Sequence, residues 1–392
     1  MTDVLSRMGL RRMTARDSGE RHRVSSPLEL LFDLVFVVAV SQASQNLHHL
    51  ISEGQGWPSA VSYLMVFFAV WWAWMNFTWF GSAFDTDDWA YRVMTIVQMG
   101  GVLVLAAGVH DAMVSNDYLV VTWGYVIMRL AMVGQWLRAG ISDPASRRTA
   151  FTFAVGIAAV QVLWLARVYL LDAQWQYITF FVLAVGEMSI PFLAERRGPT
   201  SWHGHHIAER YGLFTLILLG ESILAAATAI FGALSEGEHV PELIVLSICG
   251  LVIAAGMWWV YFSRDQGPRL ARTRQGFRFG YLHYVIFAAA GAVSAGIEVD
   301  IDLTLGHTEI SASAAALALT VPVAVFVLGV WFVMLRGIVR PATSVVVVVL
   351  GLLILLSAYV PVATAVPVAV LLALVVVALE VDAVRTRRRD AF

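Results

Sequence analysis

The chain has 392 residues, 59% of them hydrophobic and 14% charged, with a formal net charge of −2 and a mean hydropathy of +0.73. Soluble domains carry about 25% charged residues, and a soluble chain of this length could not bury so much apolar surface. A soluble fold is excluded, an all-α polytopic membrane protein is predicted, and no nucleic-acid partner is expected.

Residues 1–27 are polar and Arg-rich and read as a cytoplasmic tail. A membrane span needs about 20 mostly apolar residues, and the first such run is 28–50. Ala39 to Ala43 faintly resembles a signal-peptide cleavage site, but Asp33 inside the apolar run argues against cleavage. Glu29 and Asp33 are four residues apart and share one helix face. Close carboxylates disfavour joint ionisation, which suits proton relay, cation binding or acid catalysis. The plainer reading is a favourable helix dipole, or pairing with Arg23 or Arg92.

Runs 59–81 and 91–111 follow, separated by Phe84-Asp85-Thr86-Asp87-Asp88. The carboxylates of Asp85, Asp87 and Asp88 could hold Mg²⁺ or Ca²⁺ through oxygen ligands; otherwise they cap the next helix and pair with Arg92. No other cofactor is expected. Trp71, Trp72 and Trp74, with Trp258 and Trp259 later, read as interfacial belt and packing.

The next runs are 117–138, 150–171 and 174–194. Arg129 lies in mid-span and needs an acid to neutralise it. Glu187 sits close to Pro191 at the end of the sixth run.

The second half opens with His203, His205 and His206 in a segment read as a solvated loop. Run 208–232 then carries Glu209, Arg210 and, twelve residues after Glu209, Glu221. That separation is about 18 Å along a helix, too deep for Glu221 to snorkel back. It must face a partner, a cavity or another protonatable group, and Gly220 beside it suggests close helix approach. Runs 241–263, 279–299, 311–335, 341–359 and 361–381 complete twelve, followed by a basic tail, 382–392. His283 falls in the ninth and is a possible proton relay. Cys249 is the only cysteine, so no intrachain disulfide forms.

All the fixed basic charge is arginine, and it alternates between loops. Arg11, Arg147, Arg196, Arg269, Arg336 and Arg385 mark one side, with acidic or neutral loops between them. The positive-inside rule then puts both termini in the cytoplasm of a multi-pass protein. Glu29 and Glu209 each open a run, and Trp71-Trp72 and Trp258-Trp259 occupy comparable places. Two six-helix repeats in parallel orientation, 28–198 and 199–381, are therefore expected. No nucleotide-binding, zinc-hydrolase or nucleophile-elbow motif appears, so ATP-driven transport and the common hydrolases lose support.

Four segments carry a family resemblance: Pro27 to Val37 (PLELLFDLVFV), Phe84 to Asp88 (FDTDD), His206 to Phe214 (HIAERYGLF) and Ile217 to Ile223 (ILLGESI). Together they resemble the bacterial low temperature requirement A (LtrA) family over most of the chain. The resemblance implies a bacterial inner-membrane protein linked to growth in the cold. It singles out Glu29, Asp33, Asp85, Asp87, Asp88, Glu209, Arg210 and Glu221. A fainter similarity links Phe32-Asp33 to the first helix of a potassium-channel family, without that family's intervening serine.

The favoured function is a proton-coupled secondary transporter of a small molecule or ion, using Glu29, Asp33, Glu209, Arg210 and Glu221, with Glu187 and His283 as relays. One alternative is a membrane-embedded enzyme on a lipid or isoprenoid, with the Asp85–Asp88 loop holding Mg²⁺. The other is a cation channel. Membrane lipid is the one partner common to all three.

Overall fold

The computed structural model describes residues 9–17, 19–20, 23–237, 239–270, 273–360 and 363–390. Arg7, Arg21, Arg272 and Pro361 lie outside them. Among the described residues there are helices and no strands. Among the described residues, twelve helices are long and apolar enough to cross a membrane.

They are α1 Pro27–Ser52, α2 Gly56–Phe84, α3 Trp89–Ala107, α4 Leu119–Ser142, α5 Arg147–Leu170 and α6 Gln176–Glu195, then α7 Gly204–Glu236, α8 Val240–Phe262, α9 Thr273–Leu305, α10 Ala312–Val330, α11 Pro341–Leu356 and α12 Ala365–Asp390. Each coincides with one apolar run of the sequence. The ends follow local chemistry. Asp88 caps α3 by accepting the Tyr91 N–H at 3.0 Å, and Ser311 caps α10 by accepting the Ala314 N–H at 3.2 Å. Pro341 occupies the first turn of α11, where its missing N–H costs nothing. Gly54 turns the chain out of α1 at φ +84°, a conformation open to glycine.

The chain forms two compact units, one of residues 1–43 with 65–210, the other of 44–64 with 211–392. The boundaries between them fall inside α1 and α2 and between Arg210 and Tyr211 of α7.

In the first unit the lower part of α2 forms the core. Trp71, Trp72, Trp74, Phe67 and Phe77 are all fully buried there. This corrects the interfacial reading of that tryptophan cluster: α2 is 78% buried, so its rings pack against other helices instead of meeting headgroups. Trp258 and Trp259 keep over 40% of their surface exposed, as a belt pair would. Helices α3 and α4 pack tightly because Gly124 lets two backbones meet. A Cβ there would lie 2.6 Å from Leu105 Cα.

The second unit is built on α9, which is also 78% buried. Its small residues Ala288, Ala290, Ala292 and Ala295 are all buried. A Cβ on Gly296 would lie 2.7 Å from Leu319 Cα of α10. Pro322 has no N–H to give the Ala318 carbonyl, and α9 makes its closest approach at that turn. Gly220 behaves differently from its expected role: nothing lies within 4 Å of its Cβ position, so it mediates no close contact.

Candidate functional site

The first unit holds a buried ladder of charged side chains. Glu29 and Asp33 face out from one side of α1, and His206 and Arg210 from one side of α7. Both pairs are spaced by four residues, so the helices present two rungs at matching height. On one rung Arg210 grips Asp33 with two hydrogen bonds, Nε to Oδ2 at 2.9 Å and Nη2 to Oδ1 at 2.5 Å. On the other, His206 Nε2 lies 3.2 Å from Glu29 Oε1. Arg210 Nη1 also reaches Glu29 Oε1 at 3.0 Å, as an ion pair without hydrogen-bond alignment. All four side chains are at most 2% exposed.

Neighbouring residues hold the ladder in place. Trp74 Nε1 donates to Asp33 Oδ1 at 2.7 Å, and the Ser26 backbone N–H donates to Glu29 Oε2 at 2.8 Å. The guanidinium of Arg210 lies 5.8 Å from the Phe77 ring centre. Gly81 leaves room beside Glu29: a Cβ there would meet Glu29 Oε1 at 3.0 Å and the Tyr91 hydroxyl at 3.3 Å. Arg23 donates to the carbonyls of Ser82 and Gly81 and closes the α1 entrance. Among the described residues the Tyr91 hydroxyl and His206 Nδ1 have no hydrogen-bond partner, although both are buried.

The sequence-level expectations for this region divide. Asp33 pairs with Arg210, and not with Arg23 or Arg92. Helix α7 begins at Gly204, earlier than the run at 208, so His206 is a buried helical residue and not part of a solvated loop. His203 is also buried, its Nδ1 accepting the His206 N–H at 3.3 Å. Glu209 stands apart from the ladder and accepts the Ser25 N–H at 3.3 Å.

A second buried cluster in the same unit answers the question of Arg129. Its Nη2 donates to Glu187 Oε2 at 2.7 Å. Trp72 Nε1 donates to the same oxygen at 3.0 Å, and Gln161 Nε2 to Glu187 Oε1 at 2.7 Å. Four helices, α2, α4, α5 and α6, thus meet on one carboxylate. Pro191 sits one turn beyond Glu187, so the Glu187 carbonyl lacks its helical donor. Gln161 and Trp72 escaped sequence reasoning because neither residue type signals charge pairing by itself.

The aspartates between α2 and α3 turn to different partners. Asp87 takes a two-point grip from Arg92 at 2.8 and 2.9 Å, which lowers its carboxyl below the usual range. Asp88 accepts from Arg138, the Tyr91 N–H and the Arg11 N–H and is also lowered, its bonds outweighing burial. Asp85 has only a 3.4 Å contact to Arg16; burial, with Glu29 nearby, pushes it up to about 6. Among the described residues no three His, Cys, Asp or Glu side chains converge as metal ligands.

In the second unit, His283 of α9 is enclosed by the rings of Tyr211, Phe279 and Phe287. Its Nδ1 contacts the Phe279 carbonyl at 2.7 Å, so that nitrogen donates and Nε2 accepts from the Tyr261 hydroxyl at 3.0 Å. Glu221 of α7 is half-buried and interacts electrostatically with Glu298 of α9.

A family model for the bacterial low temperature requirement A protein (LtrA) matches residues 24–381, nearly the whole chain. The chain belongs to the LtrA family. A protein of Rhizobium meliloti (strain 1021), described as uncharacterized, is 28% identical over 299 residues, covering 70% of each chain. No solved structure matches. The ladder residues Glu29, Asp33, His206 and Arg210 all fall within the matched part of this LtrA protein, as do Glu187 and Glu221. It is a multi-pass membrane protein with twelve apolar helices.

Proposed function

We propose that this LtrA protein is a proton-coupled secondary transporter whose coupling centre is the ladder of Glu29, Asp33, His206 and Arg210. The observation that carries the reading is its charge count. Within the four-residue ladder two carboxylates face one guanidinium when His206 is neutral, while Arg23, Arg16 and Asp85 lie toward the start of α1. One unit of negative charge is left over in a dry environment, where an unpaired ion costs several kcal/mol. Taking up one proton, on His206 or on Glu29, removes that charge. Protonation of Glu29 breaks its ion pair with Arg210, and losing the proton restores that hold. Protonation and a rearrangement of α7 against α1 are thereby linked, which is what coupling requires.

In this reading Glu187 and His283 are fixed anchors. Glu187 accepts from three side chains and both ring nitrogens of His283 are bonded, which favours holding the fold over relaying protons. Glu221 remains a candidate proton group, and the substrate is a small molecule or ion. The alternating arginine loops support both termini on the cytoplasmic side.

The test is flux in liposomes containing the purified protein, with wild type beside Asp33→Asn and His206→Gln. Proton movement that depends on a second solute gradient, and is lost in both variants while they remain monodisperse, is the expected result. Proton flux without such dependence would mark a channel. No flux in wild type, together with conversion of a lipid extract, would mark an enzyme.

A further inference from the structure

A histidine in the second unit is bonded in a way that an extra proton would satisfy. His48, near the end of α1, has both ring nitrogens on carboxylates of α9. Nε2 lies 2.7 Å from Asp302 Oδ2, and Nδ1 lies 3.3 Å from Glu298 Oε2. Glu298 and Asp302 are four residues apart, so they flank the ring from one helix face. Ser52, one turn beyond His48, donates its hydroxyl to the same Asp302 oxygen at 2.7 Å. The three ionisable side chains are between 13% and 23% exposed, mostly enclosed yet not cut off from water.

A neutral imidazole carries one N–H, and an ionised carboxylate only accepts. If all three groups were in those forms, one of the two contacts would set lone pair against lone pair. One proton beyond a neutral ring and two carboxylates would relieve that contact. It would sit on the ring, or between Nδ1 and Glu298.

We propose that His48, Glu298 and Asp302 form a proton-binding site that exchanges with Glu221. Transfer is a local step. The N–H bond at His48 Nδ1 breaks and an O–H bond forms at Glu298 Oε2, leaving a neutral ring whose Nε2–H still donates to Asp302. Glu221 interacts with Glu298 from α7, and their mutual repulsion favours one proton shared between them. The other ionisable neighbours are His49, whose ring centre is 4.8 Å from that of His48, and His307, which acts on Asp302. The acid at Glu221 singled out by its depth thus gains a donor that the sequence did not link to it.

The site stands on its own geometry; its part in transport rests on the transporter reading above. The full chain, labelled with ¹⁵N-histidine and placed in lipid nanodiscs, would be titrated by NMR, with His48→Gln assigning the His48 signals. The ring ¹⁵N signals of His48 are expected to differ from wild type in Glu298→Gln and in Asp302→Asn, showing that both carboxylates share its proton. Signals unchanged in both variants overturn the proposal. Proton flux in the same variants separates the two ideas. The expected NMR result with no flux in wild-type liposomes confirms the site and removes the transporter. Flux lost in Glu298→Gln and Glu221→Gln, with the fold intact by NMR, supports both.

Discussion

Replacing Arg210 by methionine would expose how much the ladder depends on one cation. Breaking a buried ion pair by removing one partner costs about 3–5 kcal/mol, because the other charge stays buried. Here Asp33 loses two hydrogen bonds and Glu29 loses its ion pair, so a value near 5 kcal/mol is expected at neutral pH. Each orphaned carboxylate can escape only by taking up a proton, a cost that rises by about 1.4 kcal/mol per pH unit. The deficit should therefore grow from mildly acid to alkaline conditions. Adding Asp33→Asn to Arg210→Met removes one of the two stranded charges and should recover about 2–3 kcal/mol. The assay is reversible unfolding in mixed micelles, followed by tryptophan fluorescence at several pH values. A loss below about 1 kcal/mol, or strictly additive effects in the two-residue cycle, would refute the claim that these groups act as one buried unit.

Glu187→Leu should cost about 3–5 kcal/mol by stranding Arg129, and Arg129→Met added to it should restore most of that, both read by the same unfolding assay. Gly124→Ala should destabilise by about 1–3 kcal/mol or abolish folding, since its Cβ would collide with the Leu105 backbone, whereas Gly220→Ala should be neutral or stabilising by about 0.5–1 kcal/mol. Asp85 is pushed up to about 6, so its folded form holds a proton more tightly than the unfolded chain does. The stability it adds is present in acid and lost as pH rises through that value. Asp85→Asn should flatten the decline between about pH 4 and about pH 6, by roughly 2–3 kcal/mol for a shift of this size; an unchanged pH profile of melting would count against it.

The helices were legible because span length and apolar composition are local properties. Every one of the twelve runs returned as a helix, and even the weak break at Tyr359 to Pro361 separated α11 from α12. The importance of Glu29, Asp33 and Arg210 was legible too, since charges inside apolar runs are costly. Their pairing was not. Asp33 and Arg210 are 177 residues apart, and nothing local joins them. The one available signal was the repeated four-residue spacing, Glu29 to Asp33 and His206 to Arg210, which places two acids and two bases on complementary faces. His206 was misread because helix start signals before Gly204 are weak. Glu221 stands out in the sequence by depth alone, while His48, near the end of a span, carries no signal of the α9 carboxylates that flank it.

The glycine contacts at Gly124 and Gly296 have a mechanical consequence. Sliding α4 along α3, or α10 along α9, by a single residue would drive a side chain into space that only a hydrogen atom fills. Each pair is a locked joint that resists shear, so each travels as a single stave. Any rearrangement within either unit has to bend or rotate its other helices around that unit's fixed pair. Spectroscopic labels on the outer faces of α3 and α4, away from Gly101 and Gly124, should then keep one distance across conditions.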